Sequence, residues 1–320
     1  MKKFFKYRSA ANFASQHQSI LSTIRRLPPE ILEIIFIYVA SSPSLSLSAE
    51  RKERYYICDL PWNVSQVSLL WRRVALSTPT LWSQLPTVDL DQSLSAVPEY
   101  VEFLTELVER SRNGPLDVHI HARSLSNQRL PLLHLLLTQS PRWRRARLEV
   151  CFASLPIFES IKGRLSSLEE LVLNIWSRSR TFGLVTVNPF EQAPKLRRVA
   201  LSGYSEVRVL LPSGCLEEYW QGSIDGGQIH VALSSPSSMK ILTAIHLPES
   251  RIPWSPTVIP YLTALRIRFQ QFSDPASFLC NLTLPSVEEI QLASHTNILP
   301  SVLSLTARAG RSSALKKFHS

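Results

Sequence analysis

The sequence predicts a mixed α+β / α/β chain, in which a short helical unit near the N-terminus precedes an irregular repeat solenoid built on a parallel sheet. Two observations lead there. Over residues 27–85, apolar side chains recur at three- and four-residue spacing, the signature of amphipathic helices. From Leu116 onward the texture changes to short apolar alternations broken by Ser, Pro and Asn, and one apolar motif returns at intervals of 20 to 28 residues. A chain of 320 residues with 44% hydrophobic and 19% charged content can bury a core of this kind, and its length suits two units.

Residues 1–26 carry Lys2, Lys3, Lys6, Arg8, Arg25 and Arg26 with no acidic side chain. They read as a basic arm with a short lead-in helix at Ser15–Ile24; a mitochondrial presequence shares the composition, but here the segment runs directly into a helical motif. At 27–90 a helical domain is expected. Pro28 and Pro29 suit a helix start, where a missing amide proton costs little, and Glu30 suits the positive end of the dipole. The first helix then runs to about Ala40. Ile31, Leu32, Ile35, Tyr38 and Val39 share one face, while Ile34, Phe36 and Ile37 spread apolar surface beyond it, so this helix needs two burial partners. Residues 41–60, serine-rich with a charged run from Glu50 to Arg54, read as an inserted loop. After Pro61, the spacing of Val64, Val67, Leu70, Trp71, Val74 and Ala75 predicts a second amphipathic helix, ended by Pro79, and Leu81-Trp82 opens a short turn.

The string Leu27-Pro28-Pro29-Glu30-Ile31-Leu32-x-x-Ile35-Phe36, followed by Val67-Ser68-x-x-Trp71-Arg72-x-Val74-Ala75, resembles the F-box. Its continuation Ala75-Leu76-Ser77-Thr78-Pro79-x-Leu81-Trp82 is similar to the F-box proteins of mushroom-forming fungi. The resemblance covers about sixty residues. It departs from the family at Ser68-Leu69-Leu70, where a cysteine or serine with a basic residue is usual before the tryptophan, and in a longer first connection.

Residues 91–312 form the repeat region, with 313–320 a basic tail. Leu116, Val118 and Ile120 alternate as strand positions. The motif apolar-x-x-apolar-x-apolar recurs as Trp143/Ala146/Leu148, Leu168/Leu171/Leu173, Leu196/Val199/Leu201, Leu242/Ile245/Leu247, Leu262/Leu265/Ile267 and Val287/Ile290/Leu292, with a weaker copy at Leu216 and Tyr219. First anchors are 25, 28, 20, 26, 20 and 25 residues apart, in or near the period of leucine-rich repeats. Pro141, Pro194, Pro260 and Pro285 each stand two positions before an anchor, where proline is tolerated at a strand entrance. No asparagine ladder accompanies the motif, so the repeats are degenerate and the solenoid irregular. An ordinary α/β domain with evenly spaced strands is the competing picture.

Chemistry-bearing motifs are missing. With nine glycines in the chain, neither Gly-x-x-x-x-Gly-Lys-Ser/Thr, Gly-x-Gly-x-x-Gly nor Gly-x-Ser-x-Gly occurs, so no enzyme and no cofactor is expected. Cys58, Cys151, Cys215 and Cys280 lie far apart, which predicts reduced thiols and a cytoplasmic or nuclear setting. His119 and His121, two apart on a strand, point to one face but read as solvated histidines, so no metal site is expected. Glu169, Glu217 and Glu288 occupy one slot of the repeat and read as structural. A net charge of +10 is dispersed, even around Arg142, Arg144, Arg145 and Arg147, which argues against a nucleic-acid partner. No run of some eighteen apolar residues suggests a membrane span.

What the resemblance implies is a substrate-recruiting subunit of a cullin-RING (SCF-type) ubiquitin ligase. A Skp-type adaptor, and through it a cullin, would dock on Leu27, Pro28, Pro29, Glu30, Ile31, Ile34, Ile35 and Phe36 of the first helix and on Val67, Leu70 and Trp71 of the second. The repeats would hold a protein client, with Trp176, Arg178, Arg180 and Trp220 as candidate contacts, since Trp and Arg dominate binding hot spots. The alternative is an adaptor-independent repeat scaffold binding protein or nucleic acid through a basic surface.

Overall fold

The computed structural model describes residues 24, 27–40, 60–91, 97–123, 129–177, 184–203, 207–222, 227–234, 238–247, 253–271, 273–309 and 317–319. The expected lead-in helix at Ser15–Ile24 (save Ile24), the inserted loop up to residue 59, most of the basic tail, and Arg178 and Arg180 lie outside the described residues. The chain divides into two compact units: one contains residues 27–40 and 60–82, the other runs from Ser83 onward. The change of unit therefore falls at Trp82, eight residues before the boundary expected at 90, because Val88–Asp89 is already a strand of the second unit.

In the first unit, α1 (Pro29–Ala40) starts where the Pro28 carbonyl accepts from the amides of Ile31 and Leu32, both at 3.1 Å. The single helix expected over Val64–Ala75 is instead two, α2 (Leu60–Val67) and α3 (Leu69–Ser77). The break has a local cause. Ser68 is extended, and its hydroxyl accepts from the Trp71 amide at 3.2 Å, an N-cap that outcompetes continuation of the helix. Arg72 Nε then donates to the Ser65 carbonyl at 3.0 Å, holding the two helices together. A 3₁₀ turn at Pro79–Trp82 closes the unit, with the Trp82 indole N–H donating to the Ala75 carbonyl at 2.8 Å.

The second unit is mixed α/β with a ten-stranded sheet. Its strands are β1 (Val88–Asp89), β2 (Leu116–Ala122), β3 (Trp143–Cys151), β4 (Glu170–Trp176), β6 (Arg198–Gly203), β8 (Glu218–Gln221), β9 (Ile241–Leu247), β11 (Ala264–Phe269), β13 (Glu289–Ala293) and β14 (Lys317–His319), in that spatial order. Every pairing is parallel. Spatial order thus follows chain order, and each strand pairs with its predecessor after one crossover. The crossovers carry α4 (Val97–Arg110), α5 (Leu130–Thr138), a 3₁₀ stretch at Phe152–Ile161, α6 (Gln228–Leu233), α7 (Pro275–Leu279) and α8 (Leu299–Arg308). Two small parallel pairs, β5 (Val185–Val187) with β7 (Val207–Val209) and β10 (Thr257–Val258) with β12 (Leu282–Thr283), also form in the connections.

Strand register identifies the repeating unit. Ala146, Leu171, Val199, Tyr219, Leu242, Leu265 and Ile290 stand in one row across the sheet, and Leu148, Leu173, Leu201, Gln221, Ala244, Ile267 and Leu292 in the next; all are buried. The motif expected at Leu242/Ile245/Leu247 is therefore displaced by three residues: Met239, Leu242 and Ala244 are its true members, and Ile245 is half-exposed on the other face. With Met239 as anchor, the last four intervals become 23, 23, 25 and, before them, 20 residues, a more even spacing than the sequence suggested.

Polar groups repeat as regularly. The Glu169 carbonyl accepts from the amides of both Arg197 and Arg198, Arg197 from Glu217 and Glu218, Glu217 from Lys240 and Ile241, Lys240 from Thr263 and Ala264, and Thr263 from Glu288 and Glu289, all between 2.7 and 3.1 Å. The slot shared by Glu169, Glu217 and Glu288 is thus a strand entrance where backbone groups are satisfied by the neighbouring repeat. Serine hydroxyls add a second link: Ser238 Oγ donates to the Gly214 carbonyl and Ser286 Oγ to the Pro260 carbonyl, each at 2.7 Å. Gly203 ends β6 with φ +114, and an added Cβ would lie 2.0 Å from the Ile175 carbonyl oxygen, so this strand end requires glycine. Among the described residues, no helix is long and apolar enough to cross a membrane.

Candidate functional site

Two surfaces carry the residues singled out by the sequence. On α1 the apolar excess divides cleanly. Leu32 and Phe36, one turn apart, are buried, and the Phe36 ring packs edge-on against Trp71 with centroids 5.0 Å apart. Trp62 and Trp82 make a second such pair at 5.2 Å. Ile31, Ile34 and Tyr38, at the same three- and four-residue spacing, form a stripe left outside: Ile34 is 62% exposed and Tyr38 80%. Val39, Val67, Leu69 and Leu76 are exposed as well, Leu69 at 79%. Together these side chains give the helical unit an exposed apolar stretch of surface.

The docking residues expected from the sequence distribute accordingly. Pro28, Pro29, Glu30, Ile31, Ile34 and Val67 are exposed, Leu27, Ile35, Leu70 and Trp71 half-buried, and Phe36 lies inside its own unit. Tyr38, Val39, Leu69 and Leu76 were not among them. The signal for Tyr38 and Val39 was present in the helical projection, which grouped them with Ile31. Leu69 and Leu76 could be placed only once the break at Ser68 set the phase of α3.

The second surface is the face of the ten-stranded sheet opposite the buried rows. Strand alternation delivers to it Asp117, His119 and His121 from β2, Arg145, Arg147 and Glu149 from β3, Glu170, Val172 and Asn174 from β4, Arg198 from β6, Trp220 from β8 and Arg266 from β11. Cross-strand neighbours match in charge. Arg145 and Arg144 both bind Asp117, the latter at 3.0 Å; Arg198 binds Glu170 at 3.0 Å; Arg266 grips Glu289 through two nitrogens at 3.1 and 3.2 Å. These directed pairs engage Arg144 and Arg145, two of the four arginines in the cluster that also holds Arg142 and Arg147.

Of the candidate client contacts, Trp176 ends β4 at 41% exposure, with the Arg123 guanidinium 4.1 Å from its ring centroid. Trp220 is half-buried, its ring edge reaching over Gly222. Glu149 sits between these groups and the β1 edge. The His119 imidazole at 3.8 Å, the Arg123 guanidinium at 3.2 Å and nearby Arg147 hold its carboxyl down at about 2, against the opposing pull of partial burial. Sequence spacing predicted the shared face of His119 and His121. It could not predict that β1 brings Asp89 and Asp91 to the same place, because that contact spans some thirty residues and depends on strand order.

Comparison with family models, with curated proteins and with solved structures finds no match to this chain.

Proposed function

We propose that the chain is a non-catalytic recruiter of the F-box kind, in which the helical unit docks on a Skp-type adaptor and a degenerate leucine-rich-repeat-like solenoid holds a protein client for ubiquitin transfer by other subunits of a cullin-RING ligase. The observation that carries the reading is the stripe Ile31–Ile34–Tyr38: apolar, exposed, and lying on the segment whose Leu27-Pro28-Pro29-Glu30-Ile31 string resembles the F-box. The unit's own core is supplied by Leu32, Phe36, Trp71 and Trp82, so the stripe serves no folding purpose within it. Register rows that return every 20 to 28 residues support the solenoid half of the reading, since each repeat completes its neighbour's core.

The test is calorimetric titration of the full chain with a purified Skp-type adaptor. The wild type binds at micromolar affinity or tighter, and the double variant Ile31→Asp/Ile34→Asp loses at least about a hundredfold, because two carboxylates must be desolvated in the interface. Both positions are exposed, so circular dichroism of the variant stays native. An unchanged affinity in the folded double variant, or no binding by the wild type, rejects the proposal.

A further inference from the structure

Ser301, in the first turn of α8, is 9% exposed, yet among the described residues neither its amide nor its hydroxyl has a hydrogen-bond partner. The cause is local. Ile298 stands at the N-cap, where it has no side-chain oxygen to offer, and the Asn297 Oδ1 accepts from the Leu299 amide at 3.1 Å. Pro300 has no amide proton, and the Val302 amide donates to the Ile298 carbonyl at 3.0 Å, so the unmet donors of this turn fall to Ser301. Both face a cavity of about 300 Å³, lined by Ser301, Asn297 and Ile298 at the start of α8 and by Asp274, Pro275 and Ala276 from the crossover after β11. We propose that this cavity binds a neutral polyhydroxy ligand the size of one sugar ring.

Size sets the first limit. One water occupies about 30 Å³ of liquid, so the cavity has room for far more, while it lies at the small end of the roughly 300–1,000 Å³ typical of ligand pockets. Charge sets the second. The positive end of α8 and the two Ser301 donors favour an acceptor oxygen and disfavour a cation. The Asp274 carboxylate lines the same cavity, which disfavours an anion. Its oxygens accept from the Ala276 and Ser277 amides at 3.0 and 3.3 Å, and each has a lone pair left for a donor. A ligand must therefore accept at Ser301 and donate at Asp274, and hydroxyl groups do both. Asn297 can add its Nδ2 as a further donor, since its Oδ1 is taken. Pro275, Ala276 and Ile298 give the C–H side of a ring apolar surface to rest on. Nothing in this site depends on adaptor docking by the helical unit.

The experiment titrates the isotope-labelled full chain by NMR with glucose, galactose, mannose and N-acetylglucosamine, and separately with inorganic phosphate. At least one sugar binds saturably in the millimolar range and shifts the Ser301 and Asn297 amide resonances. Ser301→Ala, a change that favours the helix, weakens that binding roughly three- to tenfold, the worth of one hydrogen bond. Asp274→Asn, which retains an oxygen to cap α7, weakens it as well. Thr306→Ala, on the same helix but away from the cavity, binds as wild type. No saturable binding by any of the four sugars, phosphate shifting the Ser301 amide in their place, or the same affinity in wild type and Ser301→Ala each overturns the site.

Discussion

The two units of this chain spend their surfaces in opposite ways. The helical unit, small and closed on Leu32, Phe36 and two tryptophan pairings, leaves Ile31, Ile34, Tyr38 and Leu69 to the solvent. The sheet unit buries most of the large apolar side chains of its main strands, though Trp176, Val185 and Val258 are exposed, and on its open face it pairs charges across the ladder. An exposed apolar stripe keeps its hydration cost until something covers it, whereas a charge-matched face is stable uncovered. The difference teaches that the two units would meet a partner by different means: the helical unit by having its apolar stripe covered, as the proposed adaptor docking requires, and the sheet unit through polar pairing.

The most forceful way to break this comparison is to exchange the roles of inner and outer residues on α1. Phe36→Ala deletes a buried ring from a unit with few others and costs about 3–5 kcal/mol. Ile34→Ala, two residues away but exposed, changes stability by less than about 0.5 kcal/mol. Hydrogen exchange of the α1 amides measures both. If Ile34→Ala loosens the helix as much as Phe36→Ala does, the outer stripe is part of the core and the division fails.

A smaller effect probes the sheet's open face through pH. The folded Glu149 carboxyl titrates at about 2, well below its ordinary value near 4.5, because His119, Arg123 and Arg147 favour its charged form. A depressed acid contributes stability that is present above the unfolded value and is lost as pH falls from about 4.5 toward 2. Solvent reaches this group, so its contribution is screened to about 1–2 kcal/mol. Glu149→Gln should therefore be less stable than wild type by that amount above pH 5 in urea titrations, with the gap closing on acidification and gone near pH 2. A gap independent of pH would show that Glu149 acts by packing, and that charge matching on this face is incidental.

How much of this was legible in the sequence depends on how local its cause is. Trp143/Ala146/Leu148 and Leu262/Leu265/Ile267 could be read as buried rows because strand alternation is written in adjacent residues. The repeat at Met239 was misplaced because Leu242-x-x-Ile245-x-Leu247 imitates the motif better than Met239-x-x-Leu242-x-Ala244, and only hydrogen-bonded register distinguishes them. On α1 the apolar excess was evident, but which residues face inward was decided by Trp71 across the unit, so Phe36 moved from the expected docking strip into the core. The junction of Asp89 with His121 was out of reach for a further reason: β1 is two residues long and carries no periodicity to announce it.

The smallest change asks whether the face is held by charge or by shape. Arg266 meets Glu289 with a bidentate grip, and Glu289 Oε1 also accepts from Gln291 Nε2 at 2.7 Å. Arg266→Lys keeps the positive charge and removes the planar fork, so a purely Coulombic pair would be nearly unaffected, while a geometric one would lose a few tenths of a kcal/mol and up to about 1. The arginine is 41% exposed, which limits either outcome. Urea titrations at low and high salt separate them: loss in Arg266→Lys that persists in high salt assigns the pairing to hydrogen-bond geometry, and loss that appears in neither condition means that the guanidinium fork is dispensable there. The first result is expected, because fixed strand spacing sets the two side chains at the separation a fork requires, and a lysine ammonium lacks the two parallel, coplanar donors that match both carboxylate oxygens.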